Sequence, residues 1–193
     1  HAFALAAREC GIDGELVRPF FASMRTDLTR AQHDDASHDA YVYGSAEVVG
    51  LMCLRVFCEN DDVLYQRLKE PAMRLGAAFQ KINFLRDLRD DRLRLGRAYF
   101  PGTGSPGSEA GRKDAIEQEI GEDLNAALEG IKRLPRGARF GVYVAFRYYR
   151  SLFQRIRSTP VHDVMDIRIS VPNTVKAALL MKSYVRHSLN MIG

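Results

Sequence analysis

The sequence predicts an all-α fold. Apolar residues recur at three- and four-residue spacing along nearly the whole chain, and the alternating β-branched runs that mark strands are missing. Gly11, Pro71, Pro135, Pro160 and Pro172 fall where those periodic stretches change phase. With 193 residues, 46% apolar and 27% charged, the chain is long enough to bury one substantial core, so a single domain over 1–193 is expected.

Taken in order, His1 to Ala7 consist of helix formers with no capping start, and residues 1–9 read as the tail of a helix already under way. On that reading the chain begins inside a longer protein. Helices are then predicted over 14–30, 38–58, 61–70, 72–95, 113–133, 136–157 and 173–191. Pro71 is read as a break because its ring lacks an N–H and crowds the preceding turn. Residues 101–112, beginning PGTGSPGSEAG, are too rich in Gly, Ser and Pro for a regular element and predict a flexible loop. This loop contains Gly102-x-Gly104-x-x-Gly107, formally a dinucleotide fingerprint. A fingerprint needs a strand before it and a helix opening inside it, whereas a helix precedes this one and Pro106 sits within it.

The formal charge is +4, but the 28 basic residues are interleaved with 24 acidic ones, which argues against nucleic acid and leaves room for small anions such as diphosphates. Cys10, Cys53 and Cys58 cannot all pair within one chain and lack metal-site spacing, so reduced thiols are expected, with Cys53 a small core residue. No apolar run approaches the roughly 18 residues that span a bilayer, and the N-terminus lacks the layout of a signal peptide. A cytoplasmic protein is expected, at most peripheral at a membrane. The segment offering that contact is the last predicted helix, where Lys176, Lys182, Arg186 and His187 stand beside Leu179, Leu180, Val185 and Leu189. The commoner meaning of such a helix is a packed terminus.

Chemistry concentrates in one helix. Gln80, Asn83, Asp87 and Asp91 fall at i, i+3, i+7 and i+11, within roughly 40° of one line at about 100° per residue. Phe79, Ile82, Leu85 and Leu88 flank that line, so the polar stripe runs along an otherwise apolar helix. Two carboxylates and a carboxamide one turn apart suit Mg²⁺, which takes one or two carboxylates plus phosphate oxygens and water. Taken alone, Asp-x-x-x-Asp in an Arg-rich run more often marks a solvated charged face. A second acidic pair, Asp35 and Asp39 with His33 and His38, is read as the capped start of the next helix rather than a metal site.

The run Gln80-Lys-Ile-Asn83-Phe-Leu-Arg86-Asp87-Leu-Arg-Asp90-Asp91, followed by Gly96-Arg97-x-Tyr99-Phe-Pro101, resembles the second aspartate-rich signature of the phytoene and squalene synthase family. Upstream, Tyr41-Val-Tyr43-Gly-Ser-Ala46-Glu-Val-Val49-Gly50 and Met24-Arg-Thr-Asp27-Leu28 resemble two further family segments. Downstream, Tyr148-Tyr149 with Arg157, Arg168-Ile-Ser-Val-Pro172 and Lys176 are similar to its closing helices. The resemblance runs through essentially the whole chain in order. Its one large departure is the family's first aspartate-rich motif, which has no counterpart here.

The resemblance implies an isoprenoid synthase-type helical bundle around a central cavity, lacking its first helices. It implies Mg²⁺-dependent head-to-head (1-1′) condensation of two geranylgeranyl diphosphates through a cyclopropylcarbinyl diphosphate, with Mn²⁺ as a substitute metal and no NADPH. The alternative is squalene or dehydrosqualene synthesis from farnesyl diphosphate. A non-catalytic relative acting in assembly is a third reading, against which acids retained on an apolar helix argue. The implied metal ligands are Asn83, Asp87 and Asp91, the implied diphosphate clamps Arg86 and Arg97. On the same resemblance Gln80 would position substrate, and Tyr41 and Tyr149 would stabilise cations or move protons, the plainer reading of the two tyrosines being core aromatic packing. Ser45, Val49 and Cys53, four residues apart after Tyr41, and Ala72, Gly76 and Phe79 before Gln80 would open room for prenyl tails, although small residues also simply let helices pack closely. With one diphosphate site instead of two, the chain alone is expected to be inactive and to leave an apolar wall around Tyr41, Val49 and Phe79 uncovered.

Overall fold

A computed structural model of the chain describes residues 2–29, 35–90, 109–160, 163 and 168–192. They form the helices α1 (Ala2–Glu9), α2 (Gly14–Thr29), α3 (Asp35–Val42), α4 (Val48–Cys58), α5 (Asp62–Asp90), α6 (Glu109–Arg133), α7 (Arg136–Arg157) and α8 (Asn173–Ser188), with a π turn at Tyr43–Glu47 joining α3 to α4. Among the described residues there is no strand.

Local chemistry explains most of the boundaries. Gly11, at φ 65°, turns the chain after α1, and the Asp13 carboxylate accepts from the Glu15 N–H at 2.8 Å to cap α2. Glu59 and Asn60 take left-handed conformations to end α4, and Asp61 caps α5 through the Leu64 N–H at 2.9 Å. Pro135 and Pro172 stand at the N-caps of α7 and α8.

Two expectations of the sequence are corrected. Pro71 does not divide α5, which runs unbroken from Asp62 to Asp90. The pyrrolidine ring instead seats against α6 at Gly130, where an added Cβ would lie 2.3 Å from the Pro71 Cβ; packing on a neighbouring helix offsets the lost backbone hydrogen bond. Helix α6 begins at Glu109, so the end of the predicted loop 101–112 is helical; 101–108, with the Gly102 fingerprint, lie outside the described residues.

Two clusters of buried side chains form the core. One joins α5, α6, α7 and the C-terminal segment through Ile82, Phe84, Ile120, Phe146, Ile156 and Ile192. The other joins α2, α4 and α5 through Leu16, Val48, Leu51, Leu54, Tyr65 and Leu68. Ser37–Cys58 is a stretch of helix long and apolar enough, by length and composition, to cross a membrane, which the sequence reading did not pick out. Its Val48, Leu51 and Leu54 are nearly fully buried in this core.

The helices around the second core touch backbone to backbone. A Cβ on Gly76 would lie 2.4 Å from the Ala46 carbonyl oxygen of the π turn, and one on Gly50 would lie 2.5 Å from the Ala72 oxygen. Both obstacles are backbone and cannot rotate away. Gly76→Ala is therefore expected to cost about 1–3 kcal/mol despite alanine's better helix propensity, read as a fall of several degrees in Tm by circular dichroism.

Candidate functional site

The π turn, α4, α5, α6 and α7 line a half-open cavity of about 600 Å³. Ser45, Val49, Cys53 and Phe57 line it from the π turn and α4, and Ala72, Leu75, Gly76, Phe79 and Gln80 from α5. The structure thus brings Ser45, Val49, Cys53, Ala72, Gly76, Phe79 and Gln80 onto one wall system. Cys53 is not in the core as expected; it is exposed, and the apolar surroundings desolvate its thiol and push its pKa up. Cys58 is the buried cysteine.

The opposite wall was not foreseen. Ala127, Gly130 and Ile131 of α6 and Gly137, Ala138, Gly141 and Ala145 of α7 complete the cavity. The signal was present as small residues at four-residue steps, Gly137, Gly141 and Ala145, leading into Tyr148-Tyr149.

Helix α5 carries the polar stripe away from this cavity. Gln80 lines it, and Asn83 and Asp87 follow at about 4.5 and 10.5 Å along the axis for a rise of 1.5 Å per residue. The Tyr149 hydroxyl donates to Asn83 Oδ1 at 3.2 Å, while its ring stacks on Phe79 with centroids 3.8 Å apart and 14° between planes. One side chain therefore links the cavity wall to the stripe. The Asp87 carboxylate accepts from Arg86 Nε at 2.9 Å and from the second Arg86 nitrogen, and Arg168 Nε lies 3.4 Å from it. That hydrogen bond to Asp87 holds the Arg86 guanidinium above its ordinary pKa. Two guanidiniums thus meet at one half-buried carboxylate, an arrangement in which a second anion can be held beside the acid. Arg168 was quoted in the sequence only as part of a closing segment. Asp91 and Arg97 lie outside the described residues.

Tyr41 stands apart from this group. Because the π turn intervenes between Tyr41 and Ser45, the stripe at four-residue steps does not carry through. Tyr41 is buried against Phe84, ring centroids 5.9 Å apart, with its hydroxyl donating to Asp27 at 2.9 Å. It is therefore not part of an uncovered wall; Val49 and Phe79 are half-buried on the cavity.

The Asp35/Asp39 region starts α3, and His33 lies outside the described residues. The Asp39 side chain is 87% exposed and meets His38 Nδ1 at 3.5 Å. Among the described residues no three His, Cys, Asp or Glu side chains group as a metal would need. Asp39→Asn is expected to change stability by less than about 0.5 kcal/mol and to leave any metal dependence of activity intact; loss of that dependence at unchanged Tm would make the pair a real site.

A helical bundle built around an apolar cavity, with an acidic, arginine-flanked helix leading from it, is the isoprenoid synthase type of architecture. The family model for squalene/phytoene synthase matches residues 1–175. Among curated relatives, the phytoene synthase of Arthrospira platensis is 28% identical over 91% of this chain and 64% of its own length. The 15-cis-phytoene synthase of Paracoccus sp. is 32% identical over 72% of this chain and 48% of its own length. The chain thus spans between about half and two thirds of these relatives. The crystal structure of YisP from Bacillus subtilis subsp. subtilis strain 168 superposes with a TM-score of 0.73 at 23% identity, covering 93% of this chain and 76% of that one, which shows a shared fold. The chain belongs to the squalene/phytoene synthase family.

Proposed function

We propose that the chain serves Mg²⁺-dependent head-to-head condensation of two geranylgeranyl diphosphates to phytoene, holding a prenyl tail in the cavity and its diphosphate beside Asn83 and Asp87. The observation that carries this reading is the continuity along α5, where a wall of small and apolar residues ends at Gln80 and hard oxygens begin one turn later. A cavity of about 600 Å³ falls within the roughly 300–1,000 Å³ usual for small-molecule sites. Membership of a family whose matched relatives are phytoene synthases supports the choice of substrate.

The donor set fits Mg²⁺. Asn83 and Asp87 offer one carboxamide and one carboxylate oxygen group, Asp91 would add a second carboxylate, and this cation completes its shell with phosphate oxygens and water. When bound, Mg²⁺ would supply positive charge to the departing diphosphate. Arg86 and Arg168, already drawn to Asp87, would meet the same anion, with Arg97 as a further candidate. Tyr149 holds the Asn83 oxygen in place and backs the ring of Phe79, which lines the cavity and whose π face would stabilise an allylic cation there. The apolar walls keep water from that cation. Tyr41, bonded to Asp27, acts on this reading by fixing α3 against α2 and α5.

Gly141 tests the cavity assignment. It lies inside α7 with nothing within 4 Å of an added Cβ, so a leucine there meets open space instead of backbone. Gly141→Leu should leave Tm unchanged or slightly raised, since glycine costs a helix about 1 kcal/mol. Isothermal titration with non-hydrolysable geranylgeranyl and farnesyl thiodiphosphates should show Mg²⁺-dependent binding of both, and a selective loss of the longer analogue in the variant. Binding indifferent to Mg²⁺ would remove the metal from the reading. Equal affinities in wild type and variant would remove the tail from the cavity.

A further inference from the structure

Helix α8 turns its apolar side to solvent. Val175, Leu179, Ser183 and His187 form its inner line toward α7, yet Leu180, Met181, Tyr184, Val185 and Leu189 are between 47% and 64% exposed. At about 100° per residue those five side chains cover roughly half the helix circumference. An amphipathic helix ordinarily buries its apolar arc, so an outward arc of this width calls for an apolar partner.

The charge around it narrows the choice. Neither α7 nor α8 contains an Asp or Glu, and no acid follows Asp166, although the chain as a whole is nearly balanced. Arg147 of α7 and Lys182 and Arg186 of α8 converge on a hollow of about 590 Å³ that also carries Met181, Val185 and Met191. Arg147 and Arg186 both donate to the buried Tyr143 hydroxyl, at 3.1 and 3.4 Å. Among the described residues, none of the three cations has a carboxylate partner. Burial pushes the Tyr143 phenol up, but those two guanidiniums outweigh it and hold the group below its ordinary pKa, a sign of locally positive potential. Like charges gathered beside an apolar arc match an anionic lipid surface, which offers phosphate oxygens above and hydrocarbon beneath. A second copy of the chain is a poorer match, because a two-fold contact would set the same cations against each other.

We propose that the α7–α8 face docks this protein on an anionic bilayer, with Arg147, Lys182 and Arg186 holding lipid phosphate and the arc from Leu180 to Leu189 resting at the acyl boundary. The proposal does not depend on the reaction assigned to the cavity.

The test is co-sedimentation of the 193-residue chain with phosphatidylcholine vesicles, with and without about 30% phosphatidylglycerol as the anionic lipid. The chain should bind the anionic vesicles and largely ignore the neutral ones. The triple variant Arg147→Gln, Lys182→Gln, Arg186→Gln should bind on the order of a hundredfold more weakly. Lys182→Gln alone should give a smaller loss in the same direction and guards against misfolding of the triple variant. Met181→Ser with Val185→Ser should weaken binding without altering the salt dependence. Equal binding to both vesicle types, or wild-type binding by the folded triple variant, overturns the proposal. So does uptake of inorganic phosphate without vesicle binding. A concentration-dependent dimer in ultracentrifugation that Met181→Ser with Val185→Ser dissociates would assign the arc to a second copy instead.

Discussion

Asp87→Asn is expected to lower turnover by on the order of a thousandfold or more in the enzyme carrying this chain, while its helical circular dichroism stays unchanged. The two outcomes separate because the carboxylate matters to charge balance and little to packing. Its side chain keeps 24% of its surface, Arg168 is 60% exposed, and asparagine keeps an oxygen for Arg86, so the change should cost about 1–2 kcal/mol of stability. The same change removes a formal negative charge and a hard oxygen from the one place where Asn83, Arg86, Arg168 and Tyr149 converge. Asparagine retains shape but is a weak Mg²⁺ ligand. Asp91→Asn should behave alike. The assay is single-turnover formation of phytoene from geranylgeranyl diphosphate at saturating Mg²⁺. Activity within a few fold of wild type in either variant would end the assignment of this helix as the diphosphate site. Product from farnesyl diphosphate in preference to geranylgeranyl diphosphate would keep the site and change the substrate.

The largest expected effect on stability lies where α5 packs on α6. Asp123 of α6 is 1% exposed and accepts from Lys81 Nζ at 2.9 Å and from Arg74 at 2.7 Å; Lys81 also pairs with Glu119. Burial would push Lys81 down, but its bonds to Glu119 and Asp123 outweigh that and hold it above its ordinary pKa. Asp123→Ala leaves a buried ammonium with Glu119, whose side chain is half exposed, as its remaining ion-pair partner, and should cost about 3–5 kcal/mol. Chemical denaturation followed by circular dichroism reads this as a lower midpoint at unchanged slope. Replacing both buried partners, Lys81→Met with Asp123→Leu, should recover much of the loss, because Arg74 lies 45% exposed and can turn to water. A double variant no more stable than Asp123→Ala would mean that the aspartate acts by something other than pairing with Lys81.

What the sequence alone determined is what a single helix determines. Gln80, Asn83 and Asp87 share a line because 3.6 residues make a turn, and Ser45, Val49 and Cys53 reach one wall for the same reason. The breaks at Gly11, Pro135 and Pro172 were legible because glycine and proline geometry act over a few residues. Only the tertiary structure decided that Pro71 would be carried through, since its tolerance comes from Gly130 on another helix, and that the π turn would set Tyr41 apart from Ser45. It also chose the cavity's second wall, the bond from Tyr149 to Asn83 across 66 residues, the approach of Arg168 to Asp87 and the burial of Lys81 on Asp123 across 42. Such pairings depend on where whole helices pack. That packing is set by the sum of many weak side-chain contacts and backbone clearances, and no local spacing encodes it.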